Sequence, residues 1–229
     1  HQSNNERVDK HMVRPMIPVF APNLEKRADR RRALQAQFAG KKEFQLNIVP
    51  AITHPHRGAW GLWQTFIKIV VQQKALQRPF FIFCEDDHTF TEHYSYERLK
   101  SAISKAEALE ADVLSGGVSW FRDAIQCDSN LFWIDRFNGM QFTVIFSRFY
   151  DRILEANQAE GYVTDIRLSE LSDRIFMMFP FISVQSEFGY SDVTFSNNKE
   201  GYVNSLFERS ALQFSVMDKV KQRYENMNK

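Results

Sequence analysis

The chain has 229 residues, 44% of them hydrophobic, enough for one sizeable core. Its 29 basic and 28 acidic side chains leave a net charge of +1, which excludes a global attraction to nucleic acid, an anionic membrane or a polyanionic substrate. Cys84 and Cys127 form neither a metal-binding nor a redox spacing, so a reducing compartment such as the cytoplasm is expected, with a single disulfide as the alternative.

Residues 1–15 read as a polar N-terminal arm without the apolar core of a signal peptide. Residues 16–229 contain no repeat, low-complexity tract or dividing linker and read as a single domain. No apolar run reaches the roughly 20 residues that a membrane-spanning helix needs.

The segment Met16–Ala21 predicts a buried strand that ends in the loop Pro22-Asn23. A basic helix follows from about Glu25 to Phe38, and Phe44–Ile52 is a second strand by its alternation. After His54-Pro55-His56-Arg57-Gly58, a long helix reaches about Leu76 with Leu62, Phe66, Ile69 and Val70 on one face. Phe80–Cys84 is the third strand, and it runs straight into Glu85-Asp86-Asp87. Tyr96–Glu110 is helical with Leu99, Ile103, Ala106 and Leu109 inward, and a fourth strand from Asp112 opens into Ser115-Gly116-Gly117.

Trp120–Trp133 reads as irregular, Met140–Phe146 as a strand, and Arg148–Ala156 as a helix. Ile175–Val184 is apolar with Pro180 inside it, which predicts that part of it is an edge strand or loop. The stretch from about Asn204 is a charged helix with Phe207, Phe214, Met217 and Tyr224 roughly in line. The 21 phenylalanines predict an aromatic-rich core.

Strands alternating with helices predict an α/β three-layer sandwich with a mostly parallel central sheet. In such sheets ligands bind beyond the carboxyl ends of the strands. Three motifs stand at strand ends: Asn23–Arg27, Glu85–Asp87 and Ser115–Gly117.

Adjacent carboxylates raise one another's pKa unless a cation or hydrogen-bond donors compensate. A hard divalent ion such as Mg²⁺ or Mn²⁺ does so with oxygen ligands and can bridge to substrate phosphates. The bland alternative is a solvated acidic turn with Asp87 as a helix cap. Asn23 and Arg27, nearest the first strand's exit, suit an anionic group, whereas Arg30–Arg32 read equally as a solvated helix face. His54, His56 and His88 lack a zinc spacing. Ser115-Gly116-Gly117 reads either as a plain turn or as a place for close backbone approach to a ligand. The chain contains no GxGxxG, Walker loop, GxSxG or HExxH.

Taken in order, PVFAPNLEKRADRR, GAWGLWQTFIKIV, FFIFCEDD, GMQFTVIFS, Asp165, the PFISVQ ending at Gln185, and Ser191-Asp192 resemble glycosyltransferase family 25. These are the lipopolysaccharide- and collagen-type sugar transferases with a GT-A, Rossmann-like fold. The resemblance spans about residues 16–195. It departs where Trp60-Gly61-Leu62-Trp63-Gln64 replaces a Trp-Leu-Ser-His segment, and where Pro22 enters the first loop.

The resemblance implies a cytoplasmic hexosyltransferase of lipopolysaccharide biosynthesis that moves a sugar from a nucleotide-sugar, UDP-linked as the first expectation, to a carbohydrate or other hydroxyl acceptor. It implies Asp87, with Asp86 or Glu85, as ligands of Mn²⁺ or Mg²⁺. Asn23 and Arg27 would contact the nucleotide, Ser115-Gly116-Gly117 would border the sugar, and Gln185 would belong to the substrate site. Asp165 and Asp192 are the candidate catalytic bases, Asp165 preferred. Two other classes stay open: a metal-dependent phosphoryl hydrolase, and a non-catalytic glycan-binding module with Trp60, Trp63, Trp120 and Trp133 as stacking platforms.

Overall fold

A computed structural model describes residues 15–156, 163–191 and 195–229. Asp192 and the polar arm up to residue 14 lie outside the described residues. The chain begins with β1 (Ile17–Asn23), α1 (Ala28–Phe38), β2 (Phe44–Pro50), α2 (Gly58–Ala75), β3 (Phe80–Cys84) and β4 (His88–Phe90). It continues through α3 (Tyr96–Ala108), β5 (Val113–Ser115), β6 (Trp120–Asp128), β7 (Leu131–Asn138), β8 (Phe142–Phe146) and α4 (Tyr150–Glu155). Then come α5 (Thr164–Leu171), β9 (Ile175–Met178), β10 (Ser183–Gln185) and α6 (Tyr202–Met227).

Eight strands form one sheet in the order β2-β1-β3-β8-β5-β9-β7-β6, and β4 pairs with β10 separately. β1 runs parallel to β2 and β3, and β5 runs parallel to β9. β8 is antiparallel between β3 and β5, and β7 is antiparallel between β9 and β6. Six of the eight strands therefore point the same way. The sheet is mixed, with two reversed strands inserted, and helices cover both of its faces, so the architecture is the expected three-layer α/β sandwich.

Strand alternation divides the core into two layers. Phe81 and Phe83 face α2, α4, α5 and α6, packing with Phe66, Tyr150, Leu168 and Phe214. Ile82 and Cys84 face α1 and α3, with Leu34, Phe38, Leu99 and Ala106. The phenylalanine surplus is core: Phe66, Phe81, Phe83, Phe132, Phe137 and Phe142 are all fully buried. Each such burial contributes about 1.5–3 kcal/mol.

Two expectations need correction, and a third is sharpened. Trp120–Trp133 is not irregular: it belongs to the β6–β7 hairpin, whose turn follows Asp128, with the Asn130 N–H held by the Asp128 carboxylate at 2.8 Å. Exposed Trp120 and Ile125 stand among its outward polar residues and half-buried Gln126 among its inward ones, which hid the alternation. The expected break in Ile175–Val184 falls at the cis Phe179-Pro180 bend, leaving Ile175–Met178 as an interior strand and Ser183–Gln185 in the separate two-stranded sheet. Leu109, expected inward, is exposed, and Tyr224, expected roughly in line with Phe207 and Phe214, is exposed as well.

Candidate functional site

β1, β3 and β5 run in the same direction, so the three strand-end motifs reach one rim of the sheet. Asn23 closes β1 and is nearly fully buried. Its amide donates to the Asp86 carboxylate at 2.9 Å and to the Arg27 carbonyl at 3.2 Å, and its side-chain oxygen accepts from Arg31 Nε at 3.0 Å. Arg30, one turn into α1, turns inward and donates to the other Asp86 oxygen at 3.0 Å. Both Asp86 oxygens are thus engaged by α1 and the end of β1. Asn23 acts as a buried organiser, and Arg30, which the sequence left open between a solvated face and an anion site, joins it on Asp86.

Asp87 lies further along the same loop. One of its oxygens is 3.9 Å from Arg30 Nη1, while the other, Oδ1, is buried without a hydrogen-bond partner among the described residues. Burial raises its pKa to about 7 against the pull of the Arg30 charge, with Asp86 pushing the same way. Glu85 is raised well above the carboxylate range, first by burial and then by the charges of Asp87, Asp165 and Asp86. Gln185 Nε2 donates to Glu85 Oε2 at 3.2 Å, and the Glu85 N–H donates to the Gln141 carbonyl at 3.2 Å. His88 is a core residue: burial holds it neutral, with its pKa lowered to about 3, and Nδ1 meets Ser183 Oγ at 2.7 Å.

Asp165 sits in the first turn of α5, the cap position being Val163. Its carboxylate accepts from Gly139 N and Ile166 N, both at 2.8 Å, and burial raises its pKa. Because β8 runs against its neighbours, its beginning lies at the rim. The segment Gly139–Gln141 therefore bridges Asp165 and Glu85.

The glycine loop has another role. Ser115, Gly116 and Gly117 are buried beneath Phe181–Ser183. A Cβ on Gly117 would stand 2.2 Å from the Ser183 carbonyl oxygen, and one on Gly116 would stand 2.9 Å from the Phe142 ring. The close backbone approach is therefore made by the chain's own strand β10. Gln141 Nε2 ties the two together through the Gly117 carbonyl at 2.8 Å and the Ser183 carbonyl at 3.3 Å.

The segment after β10 is a strap that the sequence did not disclose. The Ser186 N–H donates to the Asp87 carbonyl at 2.7 Å. The Glu187 carboxylate then accepts from Gly201 N and Asn204 N, at 2.8 and 2.9 Å, and so caps α6. Tyr190 covers the start of α1: the Arg27 guanidinium lies 3.7 Å from its ring centroid and that of Arg30 4.6 Å. Its hydroxyl donates to Asp29 at 2.8 Å, and its carbonyl accepts from Arg30 at 2.8 Å. Tyr190 had no sequence signal, and Arg30 only that of the arginine cluster it belongs to. The tryptophans form no common platform: Trp63 is fully buried and Trp133 donates to the Asp173 carbonyl at 2.7 Å.

No protein-family profile matches the chain, and no curated protein matches it in sequence. Similar solved structures include A197 from STIV, at 11% identity and a TM-score of 0.45, covering 75% of this chain and 86% of that one. A glycosyltransferase involved in glycosylation of the major capsid of PBCV-1 has 9% identity and a TM-score of 0.44, covering 71% and 81%. The apo form of UDP-glucose pyrophosphorylase has 10% identity and a TM-score of 0.43, covering 88% and 82%.

Proposed function

We propose that the rim is the donor site of a metal-assisted glycosyltransferase that uses a nucleotide-sugar, with UDP-linked hexose as the first choice. The observation that carries this reading is the unequal treatment of the three acids. Asp86 is fully engaged by Asn23 and Arg30, whereas Asp87 keeps a buried, unpartnered carboxylate oxygen beside the raised carboxyl of Glu85. An orphaned anionic oxygen costs free energy that a divalent ion would recover.

Among the described residues no three His, Cys, Asp or Glu side chains form a ready metal cage. In a donor site one or two carboxylates can hold Mg²⁺ or Mn²⁺, with substrate phosphates and water completing the shell. Asp87 would hold the ion, with Glu85 beside it and Asp86 fixing the loop. When bound, such an ion supplies charge neutralisation to the departing diphosphate.

The chain's own residues account for the rest. Arg27 stacked on Tyr190 offers a cationic and aromatic edge to the nucleotide. Gln185 holds Glu85, and the Gly139 and Ile166 N–H groups hold Asp165 rigidly at the rim. Burial has already raised the proton affinity of Asp165, so it is our candidate for taking the acceptor hydroxyl's proton.

The test is thermal stabilisation by UDP, UDP-glucose and UDP-galactose with and without Mn²⁺. Stabilisation that needs nucleotide and metal together supports the transferase. Metal alone would favour a phosphoryl hydrolase, and no response to any nucleotide would sink the reading.

A further inference from the structure

α6 contributes Val203, Phe207 and Phe214 to the core. Its opposite side is not polar. Leu212, Val216, Val220 and Tyr224 follow at intervals of four, with Met227 in line, and they are 63, 51, 57, 68 and 83% exposed. From Gln222 onward every residue is exposed, so the last turns leave the body of the sheet with this stripe uncovered among the described residues. Ordinary surface helices place charge there.

The charges of this half of the helix lie beside the stripe. At 3.6 residues per turn, Lys219 and Arg223 border it on one side, whereas Lys221 on the other is paired with Glu225. Both acids are engaged elsewhere: Asp218 accepts from Gln126 and Gln222, and Glu225 pairs with Lys221 at 3.5 Å. The chain's even net charge thus conceals a locally basic, apolar helix end. No helix among the described residues is long and apolar enough to cross a membrane.

We infer that the exposed face of α6 docks in the interfacial plane of an anionic lipid bilayer, its stripe at the acyl boundary and its lysine and arginine flanks on the headgroups. The combination of an apolar stripe with basic borders is what that surface recognises. A second copy of the chain would set the same basic flanks against themselves, which disfavours pairing through this face. The docking is independent of the rim's chemistry and stands or falls separately from it.

Flotation with phosphatidylcholine vesicles containing about 30 mol% phosphatidylglycerol tests it. The 229-residue chain should float with these vesicles, should stay behind with pure phosphatidylcholine, and should detach as salt rises. Val216→Glu with Val220→Glu, at exposed positions, should reduce the floated fraction about tenfold at an unchanged melting temperature. Lys219→Glu with Arg223→Glu should do likewise. Absence of flotation with anionic vesicles, or flotation untouched by both double variants, overturns the inference. So does a concentration-dependent dimer in solution that the Val216→Glu/Val220→Glu variant dissociates.

Discussion

Asn23 and Asp86, 63 residues apart in the chain, meet through a 2.9 Å hydrogen bond at the ends of adjacent parallel strands. Arg30 takes the second Asp86 oxygen and also faces Asp87, so one guanidinium offsets two half-buried acids. Arg30→Ala leaves both uncompensated and should destabilise the fold by about 3 kcal/mol in urea denaturation. Arg31→Ala, which removes only a donor to Asn23, should cost about 1 kcal/mol.

Asp87 predicts a pH dependence with a definite sign. In the folded chain its pKa is raised to about 7 from an ordinary 3.8, so the folded state binds the proton more tightly than the unfolded one. Stability from this group is therefore greatest below the ordinary carboxylate pKa and is lost as pH rises through 7. Asp87→Asn should be neutral at pH 4 and stabilising by about 2 kcal/mol at pH 8 in the absence of metal. The same variant should lose the Mn²⁺-dependent response to nucleotide, measured by thermal shift.

Tyr190 separates recognition from folding. Its ring lies against Arg27 and Arg30 near the surface, so Tyr190→Ala should change the melting temperature little while weakening nucleotide binding about tenfold. Tyr190→Phe keeps the ring and gives up only the bond to Asp29, and should hold affinity within about twofold. Equal loss in both variants, read by calorimetry, would assign the hydroxyl rather than the ring.

The glycines of the chain are not equivalent. Gly117→Ala drives a methyl into the Ser183 carbonyl and should cost about 3 kcal/mol. Gly189, at a φ of +76° in the strap, has open space around it, and Gly189→Ala should cost about 1 kcal/mol, the left-handed backbone alone. Chemical denaturation of both variants checks the contrast.

The sequence made the left half of the sheet legible because Phe44–Pro50 and Phe80–Cys84 carry their own alternation or apolar run. It made the acidic triplet legible because carboxylates after a buried strand are chemically conspicuous. The β6–β7 hairpin was hidden because exposed Trp120 and Ile125 break the in–out pattern of β6, and β4 was hidden by its brevity. The roles within the site were less accessible. That Asp86 is held and Asp87 is not depends on Arg30, whose side chain faces inward only because α1 packs where it does. The Ser115-Gly116-Gly117 loop shows the same limit: glycine announced a close approach, and only the fold could say that the approaching group was Ser183.

The reversed direction of β8 has a consequence for how this protein can be dissected. The rim draws on residues near 23, 30, 86, 140, 165 and 185–190, some supplied where strands finish and some where a strand begins. Neither half of the chain carries a usable remnant of it, and limited proteolysis between β5 and β8 should abolish ligand response even if the β1–β3 fragment stays folded. Nucleotide binding would then serve as an assay for completed assembly of the whole sheet, sensitive to defects that leave helical content intact.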